Sequence, residues 1–116
     1  MSTKPKQFEI WIADLNTGQG TKKSKERPVL VIQTNQLNKV HPATLICPIT
    51  SHVQHESQVL RVQIKKGIAN VLVDCDVMID QIRAIDNRKL TSKVGNLPRE
   101  LAERVKRNIK IVLDLD

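Results

Sequence analysis

Aromatic side chains are almost missing from this 116-residue chain, which has one Phe, Phe8, one Trp, Trp11, and no Tyr. RNA-binding sheets that stack bases need several exposed rings, so this scarcity argues against stacking platforms such as RNA-recognition motifs. Cysteine is equally scarce. Cys47 and Cys75 each sit in an apolar stretch with no CxxC or His-rich spacing, which points to two buried thiols rather than a disulfide or a zinc site. No apolar run approaches the roughly 18 residues of a membrane span. The polar N-terminal MSTKPKQ lacks the apolar region of a signal peptide, so the sequence reads as a soluble cytoplasmic protein. Repeats and low-complexity tracts are lacking too.

Acids are outnumbered. Lys and Arg total 19 against 12 Asp and Glu, a formal charge of +7 with a pI near 9.7. Such a surface suits a polyanion, nucleic acid first, because each cation that neutralises a phosphate releases a counterion. The length fits one domain, 8–116, behind a polar, frayed tail over 1–7.

The most informative stretch is Glu26 to Asn38, ERPVLVIQTNQLN. Pro28 stops any helix, and Val29 to Ile32 form a short, largely β-branched apolar block that asks for burial on both faces, as in a core strand. Arg27 then stands where a charged loop becomes rigid, a natural place to grip phosphate. Before it, EIWIADL alternates as a half-buried strand, with Trp11 as a ring at the core edge. The connection NTGQGTKKSKE is a cationic loop punctuated by Gly18 and Gly20.

After a turn over TNQLNKVHP comes the strand ATLICPI, in which Pro48 suggests an edge or a bulge. It ends at Thr50, Ser51 and His52, a polar strand tip of the kind that carries sites. VLRVQI alternates cleanly. Val71–Val73 and Val77–Ile79 are apolar on either side of Asp74 and Asp76, which reads as a bend or an exposed face. DQIRAID, residues 80–86, forms a further strand, and Lys89 to Lys93 a connector with room for a helical turn. From Pro98 onwards Leu101, Val105, Ile109 and Val112 recur at helical spacing, supported by the pairs Glu100/Arg104 and Glu103/Arg107. The expectation is an α+β chain, mainly β: five or six short strands in a small barrel, with a C-terminal amphipathic helix on one face.

EIWIADL, RPVLVIQTNQLN, PITS and DQIRAID, in this order and followed by an amphipathic helix, resemble the MazF/PemK-type toxins from Phe8 to Leu115. The resemblance implies an SH3-like barrel of the PemK/CcdB kind with an added short helix. It further implies a homodimer, no cofactor or metal, and cleavage of single-stranded RNA, often messenger RNA, at short sequences. The implied partner is a cognate antitoxin with an acidic tail. The family's Arg and Thr fall on Arg27 and Thr50, and its Asp-Gln pair on Asp80 and Gln81. Gln19, Lys22, Lys23, Lys25, Ser51 and Arg83 are further expected RNA contacts. Two positions depart from the family. The loop lacks the acid or imidazole some members carry after glycine, and Met78 stands where a PemK-like branch has Arg.

Metal-free cleavage needs a proton acceptor for the ribose 2′-OH, a donor for the leaving 5′ oxygen and positive charge at the phosphorane. Arg27 supplies the charge and Thr50 a hydrogen bond. Acid–base duty stays open between Glu26, if it turns inward rather than pairing with a lysine, and His52, if it is more than a solvated loop residue. His55 and His41 are weaker choices. Two alternatives compete: a non-cleaving RNA- or antitoxin-binding module on the same barrel, and a CcdB-like gyrase poison. The second is disfavoured because Val112 to Asp116 lacks the Trp-Gly-Ile that those toxins use.

Overall fold

The structure, a computed structural model, describes residues 4–15 and 25–115. Its elements run β1 (Glu9–Asp14), β2 (Glu26–Val31), α1 (Asn35–Asn38), β3 (Ala43–Thr50), β4 (Arg61–Ile64), β5 (Cys75–Met78), β6 (Arg83–Asp86), β7 (Leu90–Asn96) and α2 (Arg99–Val112). The strands form one antiparallel sheet ordered β4-β5-β3-β2-β1-β7, with β6 paired to β3. The sheet does not close on itself. Among the described residues β4 and β7 remain its two ends, so the expected barrel is an open, wrapped sheet.

β2 owes its central place to its apolar block. Val29, Leu30 and Val31 are fully buried, because α2 and the β4–β5 layer cover one face while Trp11, Ala13 and Ile46 pack on the other. β1 pairs with β2 through Ile10↔Leu30 to Asp14↔Glu26. Trp11 is a core-edge ring, as its sequence context suggests, and its indole N–H donates to Glu9 Oε1 at 2.9 Å. Pro48 lies inside the sheet, opposite Val29, rather than on an edge. The reason is local. The β3–β6 ladder ends at Ile46 and the β3–β5 ladder starts at Ile49, so Pro48 falls in the gap where no N–H is needed on that side.

Several expectations change. The connector at 89–93 is a 3₁₀ turn (Asn87–Lys89) leading into β7. β7 follows β1 with two register irregularities, held by backbone bonds rather than by a strongly apolar face. The turn after β2 contains α1, capped by Thr34. Gln7 donates from its backbone N–H to Asn35 Oδ1 and from its side chain to the Ile32 carbonyl. The described part of the N-terminal tail is therefore fastened down. Asp76, read as marking a bend or exposed face, is 1% exposed, whereas Leu72 is 84% exposed. On α2, Glu103 pairs with Lys106 rather than Arg107. Ala102 and Val105 fill the core side of that helix, and burying a side chain of Val size contributes about 1.5–3 kcal/mol.

Candidate active site

The register of β2 on β3 is Val29↔Pro48, Leu30↔Cys47 and Val31↔Ile46. Carrying it two residues further sets Arg27 across from Thr50. The ladder stops short of them because Pro28, which faces Ile49 in this register, has no N–H to extend it. Beyond that point the two strand ends frame a cleft of about 650 Å³ that both Arg27 and Thr50 line.

Its walls follow from the neighbouring elements. Ile49, Val71 and Val94 make an apolar floor, and Leu72 and Val73 an exposed apolar rim. The rim belongs to a loop folded back by positive φ at Gly67 (90°), Ala69 (53°) and Asn70 (66°). That loop is tied to β7 by the Asn70 side chain, which donates to the Val94 carbonyl at 3.0 Å. A Cβ at Gly95 would lie 2.3 Å from the Ala69 carbonyl oxygen, so only glycine lets loop and strand approach.

Arg27 is exposed, and no carboxylate of the described residues pairs with it. Thr50 is half-buried, and its Oγ1 accepts the His52 backbone N–H at 3.1 Å. That bond orients the oxygen and leaves its proton free to donate. Among the described residues Glu26 is the sole acid that lines the same cleft, beside Lys25 and Ser51. Cys75 also lines it, but burial first, and Asp76 and Asp74 next, push its thiol up to about 11. It is therefore no ready nucleophile. Burial and then Asp80 push Cys47 up to about 12. Both cysteines are free and buried.

The remaining expected site residues lie elsewhere. His52 is exposed and does not line the cleft; its backbone carbonyl accepts from Arg61 at 3.2 Å. Asp80 and Gln81 are the exposed residues of a 3₁₀ turn (Ile79–Gln81) after β5, whose Ile79 is buried. Arg83 opens β6 and faces a separate hollow shared with Asp14, Asp86 and Lys89. Gln19, Lys22 and Lys23 fall outside the described residues. His55 lines a second cleft, while His41 turns back on Ala43.

Two features escape a reading of the sequence. The first is the Asn70–Val73 wall, whose apolar letters mimic a core strand. The second is the Asp76–Arg61 ion pair at 3.2 Å, with Asp76 also accepting the Gln54 backbone N–H at 2.8 Å. A pattern of charges does not say which carboxylate is buried. The one available signal is the polar Gln63 and Arg61 alternating along β4, opposite Asp76 and Met78.

The chain is 31% identical over 110 residues to Endoribonuclease EndoA of Bacillus subtilis, covering 95% of each chain. It is 29% identical over 107 residues to Endoribonuclease MazF of Staphylococcus saprophyticus, covering 92% of this chain and 89% of that one. In fold it resembles a chain of the MazE-MazF crystal structure from Deinococcus radiodurans, with a TM-score of 0.81 and 19% identity, over 98% of this chain and all of that one. Residues 6–113 match the family described as the PemK-like, MazF-like toxin of type II toxin-antitoxin system. With that match spanning nearly the whole chain and the strand-tip cleft in place, the protein belongs to the PemK-like, MazF-like toxin family.

Proposed function

We propose that this protein is the toxin of a toxin–antitoxin pair and cuts single-stranded RNA, messenger RNA included, by metal-independent transphosphorylation at selected sequences. The observation that carries this reading is the meeting of Arg27 and Thr50, from two different strands, in one cleft with a free guanidinium. The ribose 2′ oxygen attacks the adjacent phosphorus, and the bond to the 5′ oxygen breaks. The products are a 2′,3′-cyclic phosphate and a 5′-hydroxyl. Arg27 holds the non-bridging oxygens as negative charge builds on them. Thr50 donates a second hydrogen bond. Glu26, the carboxylate of the cleft, takes the 2′ proton, and the leaving 5′ oxygen is protonated from solvent through the open cleft mouth. This replaces His52, whose ring lies off the cleft, in the acid–base role. Lys25 and Ser51 would contact RNA in the cleft, and Asp80, Gln81 and Arg83 outside it.

The protein works in the cytoplasm as a homodimer held in check by an acidic antitoxin. No described helix is long and apolar enough to cross a membrane. Ile111 and Leu113, each about half exposed at the end of α2, are apolar surface that a second copy would cover. The MazE-MazF structure from Deinococcus radiodurans supports an antitoxin partner.

The experiment is incubation of purified protein with a long single-stranded RNA in EDTA. Cleavage is expected, with cyclic-phosphate and 5′-hydroxyl ends. Glu26→Gln should slow it by about 10²- to 10⁴-fold, the usual contribution of a general base. RNA that is bound but left intact by the wild type would establish the non-cleaving module instead.

A further inference from the structure

A second cleft, of about 380 Å³, opens between the loop after β3, the strand β4 and helix α2. Its walls are polar where those of the first are apolar. Arg104 and Arg107 stand three residues apart on α2 and so share one helix face. Both are exposed, both line the cleft, and no carboxylate of the described residues pairs with either. The acid nearest them in sequence, Glu103, is taken by Lys106 at 3.4 Å.

At the floor lies Asp76, whose charge is met by Arg61 at 3.2 Å and by the Gln54 N–H at 2.8 Å. Among the described residues Asp76 is the one carboxylate lining the cleft, and it is neutralised from within; the formal charge of the three arginines and Asp76 is +2. The cleft is also wedded to the first. Thr50 and Asp76 are direct partners across the β3–β5 ladder. Thr50 and Ser51 line one cleft while Val53 and Gln54 line the other, three residues on along the same loop. Three residues span at most about 10 Å.

From this placement we infer that the α2 cleft is a backbone subsite, in which Arg104 and Arg107 grip phosphates of the same RNA strand whose scissile phosphate lies at Arg27. Guanidinium forks match phosphate oxygens in pairs. The paired guanidinium groups suit phosphate oxygens, and a grip on the backbone is independent of sequence and serves affinity. The inference rests on the RNA-cleaving reading for the identity of the strand.

The test compares wild type with the Arg104→Gln, Arg107→Gln double variant on a long RNA and on a minimal one that spans only the cleavage site. The control double variant, Arg99→Gln with Lys110→Gln, removes the same charge elsewhere on α2. The α2-cleft variant should raise KM for the long RNA roughly tenfold with kcat unchanged, and leave the short substrate as it was. Its binding to a 2′-O-methyl RNA, which cannot be cut, should lose about 1.4 from the slope against log salt, since each single-strand phosphate contact contributes about 0.7.

Equal effects on both substrates, no effect on the long one, or the same effect from the control would overturn the subsite. So would inorganic phosphate competing as strongly as the RNA, which would assign the cleft to a small free anion. A wild type that binds the uncuttable RNA yet cleaves nothing defeats the toxin reading, while the slope difference still decides the subsite.

Discussion

Glu9 shows how single residues set the stability of this sheet. Its side chain is nearly buried between β1 and β7, where Oε1 accepts from the Trp11 indole and the Lys6 N–H, both at 2.9 Å. Oε2 meets Lys93 at 3.0 Å. Burial alone would raise the carboxyl, but the donors from Trp11, Lys6 and Lys93 outweigh it and hold the group below its ordinary value of 4.5. A carboxyl lowered in the folded state stabilises above its unfolded value, and that contribution is lost as pH falls through the folded one. Glu9→Gln should therefore be less stable than wild type by roughly 1–2 kcal/mol near neutral pH, with the gap closing in acid. Urea unfolding at several pH values measures it, and a gap constant across pH would count against this origin. At this scale the sequence is a partial guide. Arg27 and Thr50 are legible because each sits at the end of an apolar strand, whereas the burial of Glu9 and Asp76 depends on neighbouring strands distant in the chain, β7 for the one and β4 for the other.

Among the elements, the loop after β3 matters most for the site. It begins at Thr50, and three bonds fix it: His52 N–H to Thr50 Oγ1, Gln54 N–H to Asp76, and Arg61 to the His52 carbonyl. Asp76 and Arg61 thus position Thr50 without touching substrate. Removing one charge of a buried pair is costly, so Asp76→Asn should lose roughly 2–4 kcal/mol. It should also lower kcat on the minimal substrate while the protein is still folded, with little change in KM. Thermal unfolding and steady-state kinetics on the same preparation separate the two effects, and a destabilised variant with unchanged kcat would leave Asp76 a purely structural role. β1, β2, β3 and α2 are legible because their periodicity or apolar density is strong. β7 is not, since Leu90–Asn96 pairs through its backbone and carries few apolar side chains. The segment 71–76 misleads for the opposite reason. Leu72 and Val73 are spent on the rim of a cleft, and Asp76 takes the buried place.

At the scale of the molecule, the charge of +7 and the two clefts that meet at the Thr50↔Asp76 pair suit a long anionic strand. The family is legible because its motifs punctuate nearly the whole chain in order. Failure of the sheet to close is not, because sequence fixes which strands pair more readily than whether the last returns to the first. The sharpest measurement is single-turnover cleavage of a single-stranded RNA in EDTA by Arg27→Ala beside wild type, each shown to be folded by circular dichroism. Arg27 is exposed, so the variant should fold normally and cut at least roughly 10²-fold more slowly, as expected for loss of the main charge at the phosphorane. A folded Arg27→Ala protein that cuts as fast as wild type would contradict the assignment of this cleft as the active site.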